Sequence, residues 1–128
     1  MSKVKVLIID DEVDYLSMMK LRIESWGYEV LVAKEGKEAL AIIKKELPDI
    51  AVLDYSMPGM DGVTVLKEIR KFAKKLPVIM LTAHSEVKNI QDAKALGVSS
   101  FIPKLSAYSD TQNSLMVALD MAQKKARG

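Results

Sequence analysis

Short apolar segments and amphipathic segments alternate five times along this chain, and no other feature restricts its fold as much. The apolar segments span residues 4–10, 28–33, 50–54, 78–82 and 101–103. They are short and rich in aliphatic and β-branched residues, which is typical of strands inside a parallel sheet. Each is followed by a longer segment with apolar residues at helical spacing. Five such units in series predict an α/β fold in which helices cover both faces of one parallel sheet.

The predicted helices each have one apolar face. The first places Leu16, Met19, Ile23 and Trp26 on one side and ends at Gly27, a residue suited to a helix C-terminus. The inward residues predicted for the second, third and fifth helices are Ala39, Leu40, Ile43 and Leu47; Leu66, Ile69 and Phe72 or Ala73; and Leu115, Leu119 and Ala122. The fourth helix covers about residues 87–96 and the last about 109–126. We therefore expect a flavodoxin-like, doubly wound five-stranded sheet in the order 2-1-3-4-5, with five helices.

Polar residues stand at the C-terminal ends of four of the predicted strands. These residues are Asp10 with Asp11, Asp54, Thr82 and Lys104. Because the carboxyl ends of parallel strands face one crevice, we expect these side chains to converge. Clustered carboxylates repel one another and favour a bound cation, and their oxygen atoms suit Mg²⁺ better than zinc or copper. A hydroxyl and an ammonium beside Mg²⁺ are the groups that a phosphoryl group requires.

Each of these residues also has a purely structural explanation. Asp11 can cap the first helix, and Thr82 can cap the fourth. Lys104 can be a surface lysine, although it follows an apolar run and must emerge at the strand end. Capping explains Asp54 poorly, since a loop with a proline and two glycines follows it. The recurrence of polar residues at one edge of the sheet therefore favours a shared site.

Composition restricts the class of protein further. The 128 residues suffice for one domain with a hydrophobic core, and we expect a single domain over residues 1–128. The absence of cysteine excludes a disulfide scaffold and a thiolate metal site. The first apolar run, residues 6–9, is too short for a signal peptide or a membrane span, so we expect a cytoplasmic protein without membrane contact. A net charge of +2 without a basic, aromatic stripe gives no support to direct nucleic-acid binding.

Four motifs resemble those of the receiver domains of two-component response regulators, of the CheY-like type. They are LIIDDE, LDYSMPGMDG, MLTA and AKALGVSSFIPK, and the resemblance covers about residues 4–104. It implies that Asp54 accepts a phosphoryl group from the phosphohistidine of a sensor histidine kinase or a histidine phosphotransfer protein. It also implies that Asp10, Asp11 and Asp54 hold Mg²⁺ together with the backbone carbonyl of Ser56.

The resemblance assigns the remaining site residues as well. Thr82, Lys104 and the backbone N–H of Ala83 would bind phosphoryl oxygens, and Phe101 would turn inward when Thr82 is drawn toward the phosphoryl group. The implied protein is a switch that catalyses its own phosphorylation and autodephosphorylation and acts on no external substrate. An unidentified downstream protein would bind the face formed by the fourth helix, the fifth strand and the fifth helix.

Two features depart from the family pattern. Leu105 follows the site lysine, where the family usually has a proline, and the segment of residues 105–114 is longer and more polar than usual. The Lys104–Leu105 peptide is therefore either trans with a reshaped loop, or cis at a cost of about 2.5–4 kcal/mol. Ser56 and His84, which flank the site, carry no amide that would hold an attacking water, so we expect a comparatively long-lived phosphoryl group.

Three alternative functions differ from the receiver hypothesis at identifiable residues. A haloacid dehalogenase-type phosphatase needs a second acid two residues after its aspartate, where this chain has Ser56. A flavodoxin-like cofactor binder needs a phosphate loop rich in Gly, Ser or Thr after the first strand, where the acidic run of residues 10–14 would repel phosphate. A degenerate receiver that acts only as an interaction module would not need the five site residues that this chain retains.

Overall fold

The computed structural model describes residues 3–55, 60–82, 87–103 and 108–127. The strands are β1 (Lys5–Ile9), β2 (Glu29–Ala33), β3 (Ile50–Asp54), β4 (Val78–Thr82) and β5 (Ser100–Pro103). The helices are α1 (Val13–Ser25), α2 (Gly36–Glu46), α3 (Gly62–Phe72), α4 (Val87–Ala95) and α5 (Tyr108–Arg127). All paired strands are parallel and form one sheet in the order β2-β1-β3-β4-β5, which confirms the predicted fold.

The three central strands are apolar because both of their faces are buried. β3 and β4 are buried at every residue, and β1 at every residue except Lys5. Val6 of β1 pairs with Ile50 of β3, and Asp54 at the end of β3 pairs with Leu81 of β4. This register brings the C-terminal ends of β1, β3 and β4 to the same edge of the sheet.

Successive side chains of each strand point to opposite faces and so contribute to two separate hydrophobic cores. One core lies between the sheet and helices α1 and α5, and includes Ile8, Ile23 and Leu119. The other lies between the sheet and helices α2, α3 and α4, and includes Leu53 and Leu66. The helices are amphipathic, and among those of the described ranges none is long and apolar enough to cross a membrane.

Most of the predicted inward residues are buried, two are partly buried and two are exposed. The buried ones are Leu16, Met19, Ile23, Ala39, Ile43, Leu66, Ile69, Ala73, Leu115, Leu119 and Ala122, while Trp26 and Leu40 are partly buried against the cores. Leu47 is 63% exposed, because α2 ends at Glu46 and Leu47 turns out of the helix with φ 39°. Phe72, the last residue of α3, is 40% exposed, and Ala73 takes the inward position. For Leu47, helical spacing no longer predicts the direction of the side chain because α2 has ended.

Candidate functional site

Two carboxylates lie at the C-terminal ends of the adjacent central strands β1 and β3. Asp10 follows the last residue of β1, and Asp54 is the last residue of β3. Both residues are buried, with 1% and 3% of their surface exposed. One carboxylate oxygen from each, together with one from Glu12, lies within 4.8 Å of the others. The two strands therefore bring Asp10 and Asp54 together, as the parallel topology predicts.

Glu12 is the member of this carboxylate cluster that sequence reasoning missed. Its backbone N–H donates a hydrogen bond to Oδ1 of Asp10 at 2.9 Å, and its carbonyl accepts one from the N–H of Leu16 at 2.9 Å. Glu12 is thus the N-cap residue of α1, with an exposed carboxylate beside Asp10 and Asp54. The signal for it is the uninterrupted acidic run of residues 10–12. Asp11 is half-buried and its carboxylate is outside this cluster, so its role as a metal ligand stays a prediction.

Strand β4 and the start of α3 together hold the end of β3 in place. The backbone N–H of Tyr55 donates to the carbonyl of Leu81 at 2.7 Å, and that of Gly62 donates to the carbonyl of Tyr55 at 2.8 Å. A Cβ at position 62 would lie 2.7 Å from Cα of Tyr55 and 2.8 Å from the carbonyl oxygen of Asp54. These contacts are with backbone atoms, which cannot move aside as a flexible side chain can. Glycine is therefore required for α3 to approach the Asp54 segment this closely.

Thr82 and Phe101 are the other predicted site residues within the described part of the chain. Thr82 ends β4, is 1% exposed and comes one residue after Leu81, the partner of Asp54. Thr82 therefore lies at the same edge of the sheet as Asp54. Phe101 pairs with Met80 of β4 and packs, partly buried, against the core beneath α2, α3 and α4. Ser56, Ala83, His84, Lys104 and Leu105 lie outside the described residues, and so does the Lys104–Leu105 peptide.

The donor set suits a hard divalent cation. The three clustered groups offer only oxygen atoms, and two of them are shielded from water. Burial weakens the hydration of a carboxylate and proximity makes like charges repel, so a cation at this position is stabilising. Mg²⁺ binds a small number of carboxylates and leaves its other positions to water or phosphate oxygens. The residues present thus fit the magnesium ion that the family resemblance implies, whereas copper and structural zinc prefer nitrogen or sulfur ligands.

Comparison with known proteins connects this site to a protein family. Residues 6–116 match the family described as the response regulator receiver domain. The chain belongs to this family. The receiver domain is 42% identical over 104 residues to a probable transcriptional regulator, ycf27, of Porphyridium aerugineum, over 81% of this chain and 43% of that protein. Transcriptional regulatory protein ZraR of Escherichia coli (strain K12) is 29% identical over 116 residues, 91% of this chain and 26% of that protein. The receiver domain thus spans less than half the length of these relatives.

Solved structures agree with this assignment. A response regulator receiver domain protein of Clostridium thermocellum matches with a TM-score of 0.88 and 30% identity, over 97% of both chains. Chemotaxis protein CheY4 of Vibrio cholerae matches with a TM-score of 0.82 and 30% identity, over 91% of this chain and 99% of that one. The prediction of a CheY-like receiver domain of a two-component system is confirmed. Membership of this family argues against the phosphatase and the cofactor-binding alternatives.

Proposed function

We propose that this receiver domain is a phosphorylation-activated switch and that Asp54 is its phosphoacceptor. The observation that carries the proposal is the burial of Asp54 at the end of a central strand, with its carboxylate within 4.8 Å of those of Asp10 and Glu12. In the reaction, an oxygen of Asp54 forms a bond to phosphorus while the bond from phosphorus to the donor's histidine nitrogen breaks. The donor is the phosphohistidine of a sensor histidine kinase or a histidine phosphotransfer protein.

Charge repulsion is the main obstacle to this transfer. The carboxylate of Asp54 and the phosphoryl group are both anionic, and Asp10 and Glu12 add further negative charge. We assign Mg²⁺ binding to Asp10, Asp11 and Asp54 with the backbone carbonyl of Ser56, and the proximity of Glu12 strengthens the negative potential at that place. When bound, the ion supplies positive charge that offsets the repulsion between nucleophile and phosphoryl group.

Three further side chains complete the proposed switch. Lys104 contributes a second positive charge, and Thr82 and the backbone N–H of Ala83 donate hydrogen bonds to phosphoryl oxygens. Movement of Thr82 toward the phosphoryl group leaves space into which Phe101 turns. The movement of Thr82 and Phe101 changes the binding of a downstream protein to the face formed by α4, β5 and α5. The position of Thr82 at the same sheet edge as Asp54 supports this assignment.

The proposed switch modifies itself and acts on no external substrate. We propose that residues 1–128 form one domain, that it works in the cytoplasm and that it contacts neither nucleic acid nor a membrane directly. The names of ycf27 and ZraR describe transcriptional regulators that extend well beyond the matched residues. In a longer regulator of that kind, phosphorylation of Asp54 would control DNA binding by another part of the protein.

Mass spectrometry after incubation with acetyl phosphate and Mg²⁺ tests the proposal. The wild type should gain the mass of one phosphoryl group, and peptide mapping should place it on Asp54. Asp54→Asn should gain none. Asp61→Asn is the matched control, because Asp61 is an exposed acid that caps α3 and asparagine caps a helix equally well. Full labelling of Asp54→Asn, or a label on serine or histidine, would refute the assignment.

A further inference from the structure

A second surface lies at the edge of the sheet opposite to the carboxylates. It surrounds a cavity of about 630 Å³ between the segment after α2, the end of α3 and the turn before β4. The cavity opens near the N-terminal ends of β3, β4 and β5, whereas Asp54 ends β3 at the other edge. We call this area the basal surface and define it by Lys44, Leu47, Phe72, Lys74 and Lys75.

Two large apolar side chains of the basal surface are exposed to solvent. Leu47 is 63% exposed and Phe72 is 40% exposed, and both line the cavity. Leu47 also has a left-handed backbone conformation, φ 39°, at the position after α2 where glycine is the usual residue. A leucine here costs backbone energy and joins neither hydrophobic core. Burial of these side chains against a partner would recover part of that cost.

Positive charge surrounds this apolar centre. Lys74 and Lys75 line the cavity and lie in the turn beyond α3. The Nζ atom of Lys44 lies 5.2 Å from the centre of the Phe72 ring, which places a cation against the apolar centre. Among the described residues that line the cavity, the one carboxylate is that of Asp49, whose Oδ2 accepts a hydrogen bond from a backbone N–H of β1 at 2.8 Å. The charge of the basal surface is therefore complementary to an acidic partner.

Arg70 fixes the side of the cavity that is formed by α3, the turn after it and the end of α4. Its Nε donates to the carbonyl of Leu96 at 2.7 Å and its Nη2 to that of Gly97 at 3.2 Å. Its Nη1 donates to the carbonyls of Ala73 and Leu76 at 3.0 and 2.9 Å. Burial lowers the pKa of this guanidinium, which still stays charged at neutral pH. These bonds join α3, the turn after it and the end of α4, so this side of the cavity is already ordered before a ligand binds, which lowers the entropic cost of binding.

We propose that the basal surface binds an acidic peptide segment of a partner protein through one bulky apolar side chain. That side chain enters the cavity beside Leu47 and Phe72, and the flanking carboxylates contact Lys44, Lys74 and Lys75. Because this surface lies at the opposite edge of the sheet from the phosphorylation site, binding does not depend on phosphorylation. The contact is a tether that keeps the receiver domain near its partner in both states of the switch.

Two synthetic peptides test this proposal. Each carries a central phenylalanine, flanked by glutamates in one peptide and by lysines in the other. The measurement is the change in amide chemical shifts when each peptide is added to the isotope-labelled full chain. The glutamate peptide should shift the amides of Leu47, Asp49, Phe72 and Ala73, and the lysine peptide should leave them unchanged. The dissociation constant of the glutamate peptide should be the same with and without Mg²⁺ and beryllofluoride.

Three variants separate binding from folding. Leu47→Gly relieves the left-handed strain, so the protein should be no less stable while its affinity for the glutamate peptide falls about tenfold. The double variant Lys74→Glu, Lys75→Glu should abolish binding, and both substitutions lie outside α3, so the helix is undisturbed. Leu21→Ala removes an exposed leucine from α1 and should keep wild-type affinity.

Four results would overturn the proposal that an acidic peptide binds the basal surface. Three of them are equal shifts with both peptides, shifts that map to another surface, and an unchanged affinity of Leu47→Gly for the glutamate peptide. In the fourth, vesicles of phosphatidylglycerol bind the chain and the glutamate peptide does not. The last result would make the basal surface a membrane contact. An affinity that changes with beryllofluoride would contradict a tether that is independent of phosphorylation.

Discussion

At the scale of single residues, three carboxylates in one small pocket oppose folding when no cation is bound. Asp10 and Asp54 are buried, and the carboxylate of Glu12 lies within 4.8 Å of both. Two like charges at such a distance repel by roughly 1 to 3 kcal/mol, depending on how well water screens them. Stability alone would not select such a cluster, and its presence supports the proposed role of these carboxylates.

Removal of one charge from the cluster should stabilise the metal-free protein. Asp54→Asn keeps the size of the side chain, and we expect its free energy of unfolding without Mg²⁺ to exceed that of the wild type by about 1 kcal/mol. Urea denaturation in the presence of a chelator is the measurement. Saturating Mg²⁺ should reduce or reverse the difference, because the ion binds the folded wild type more tightly than the variant.

Asp61→Asn is again the matched control for the stability measurement. Asp61 is exposed and its carboxylate accepts the N–H of Thr64 at 2.8 Å, an interaction that asparagine preserves. The free energy of unfolding of Asp61→Asn should stay within about 0.5 kcal/mol of that of the wild type. A metal-free Asp54→Asn protein less stable than the wild type would show that contacts of Asp54 outweigh the repulsion.

At the scale of elements, the fit between α3 and β3 depends on Gly62. We expect Gly62→Ala to lower the free energy of unfolding by about 1–3 kcal/mol, because its Cβ would overlap the backbone of Asp54 and Tyr55. This loss should appear although alanine favours a helix by about 1 kcal/mol over glycine. Labelling by acetyl phosphate should also slow, since the clash displaces the strand end that carries Asp54, the proposed phosphoacceptor.

Gly36→Ala provides the comparison for Gly62→Ala. Gly36 is also the first residue of a helix, and its added Cβ would meet side-chain atoms of Met60 and Val65 at 2.8 Å. Side chains can shift where backbone cannot, and Gly36 is remote in sequence from Asp54. We expect a smaller loss of stability and normal labelling. If Gly36→Ala and Gly62→Ala slowed labelling equally, the close approach of Gly62 to the backbone of Asp54 would not explain the defect.

The sequence predicts the elements of this fold better than their ends. Apolar runs and helical spacing identify the strands and helices, and parallel topology then brings Asp10 and Asp54 together. Leu47 was expected to face inward and is exposed, because α2 ends one residue before it; of Phe72 and Ala73, the two alternatives for the inner face of α3, Ala73 is the buried one. Glu12 lies in the carboxylate cluster because its backbone N–H binds Oδ1 of Asp10 in a turn. The spacing of apolar residues in helices and strands does not predict where a turn places a side chain.

At the scale of the whole molecule, the carboxylate cluster and the basal surface lie at opposite ends of the strands, and α4 runs between these two ends. Thr82 ends β4 at the site edge, shortly before Val87 begins α4. At the other end of α4, Arg70 binds the carbonyls of Leu96 and Gly97. Gly97 has φ 75°, a conformation that favours glycine and ends the helix there. Helix α4 is therefore anchored at its C-terminal end, and we expect its N-terminal end to respond to the site.

This arrangement predicts how activation spreads through the receiver domain. With Mg²⁺ and beryllofluoride, which stands for the phosphoryl group on Asp54, amide chemical shifts should change most at Thr82 and Phe101. The changes along α4 should decrease from Val87 toward Leu96. Two-dimensional NMR spectra of the isotope-labelled chain, recorded with and without beryllofluoride, measure this gradient directly.

The anchor itself is tested by Arg70→Gln, which cannot reproduce four hydrogen bonds to backbone carbonyls. Its free energy of unfolding should fall by about 2 kcal/mol, because carbonyls at partly buried positions lose a charged donor. In this variant the changes caused by beryllofluoride should extend to Gly97, since the end of α4 is no longer tied to α3. Lys67→Gln removes an exposed charge from the same helix and should leave both measurements at wild-type values. Shift changes at Gly97 as large as those at Thr82 in the wild type would mean that α4 moves as a whole and that Arg70 does not anchor it.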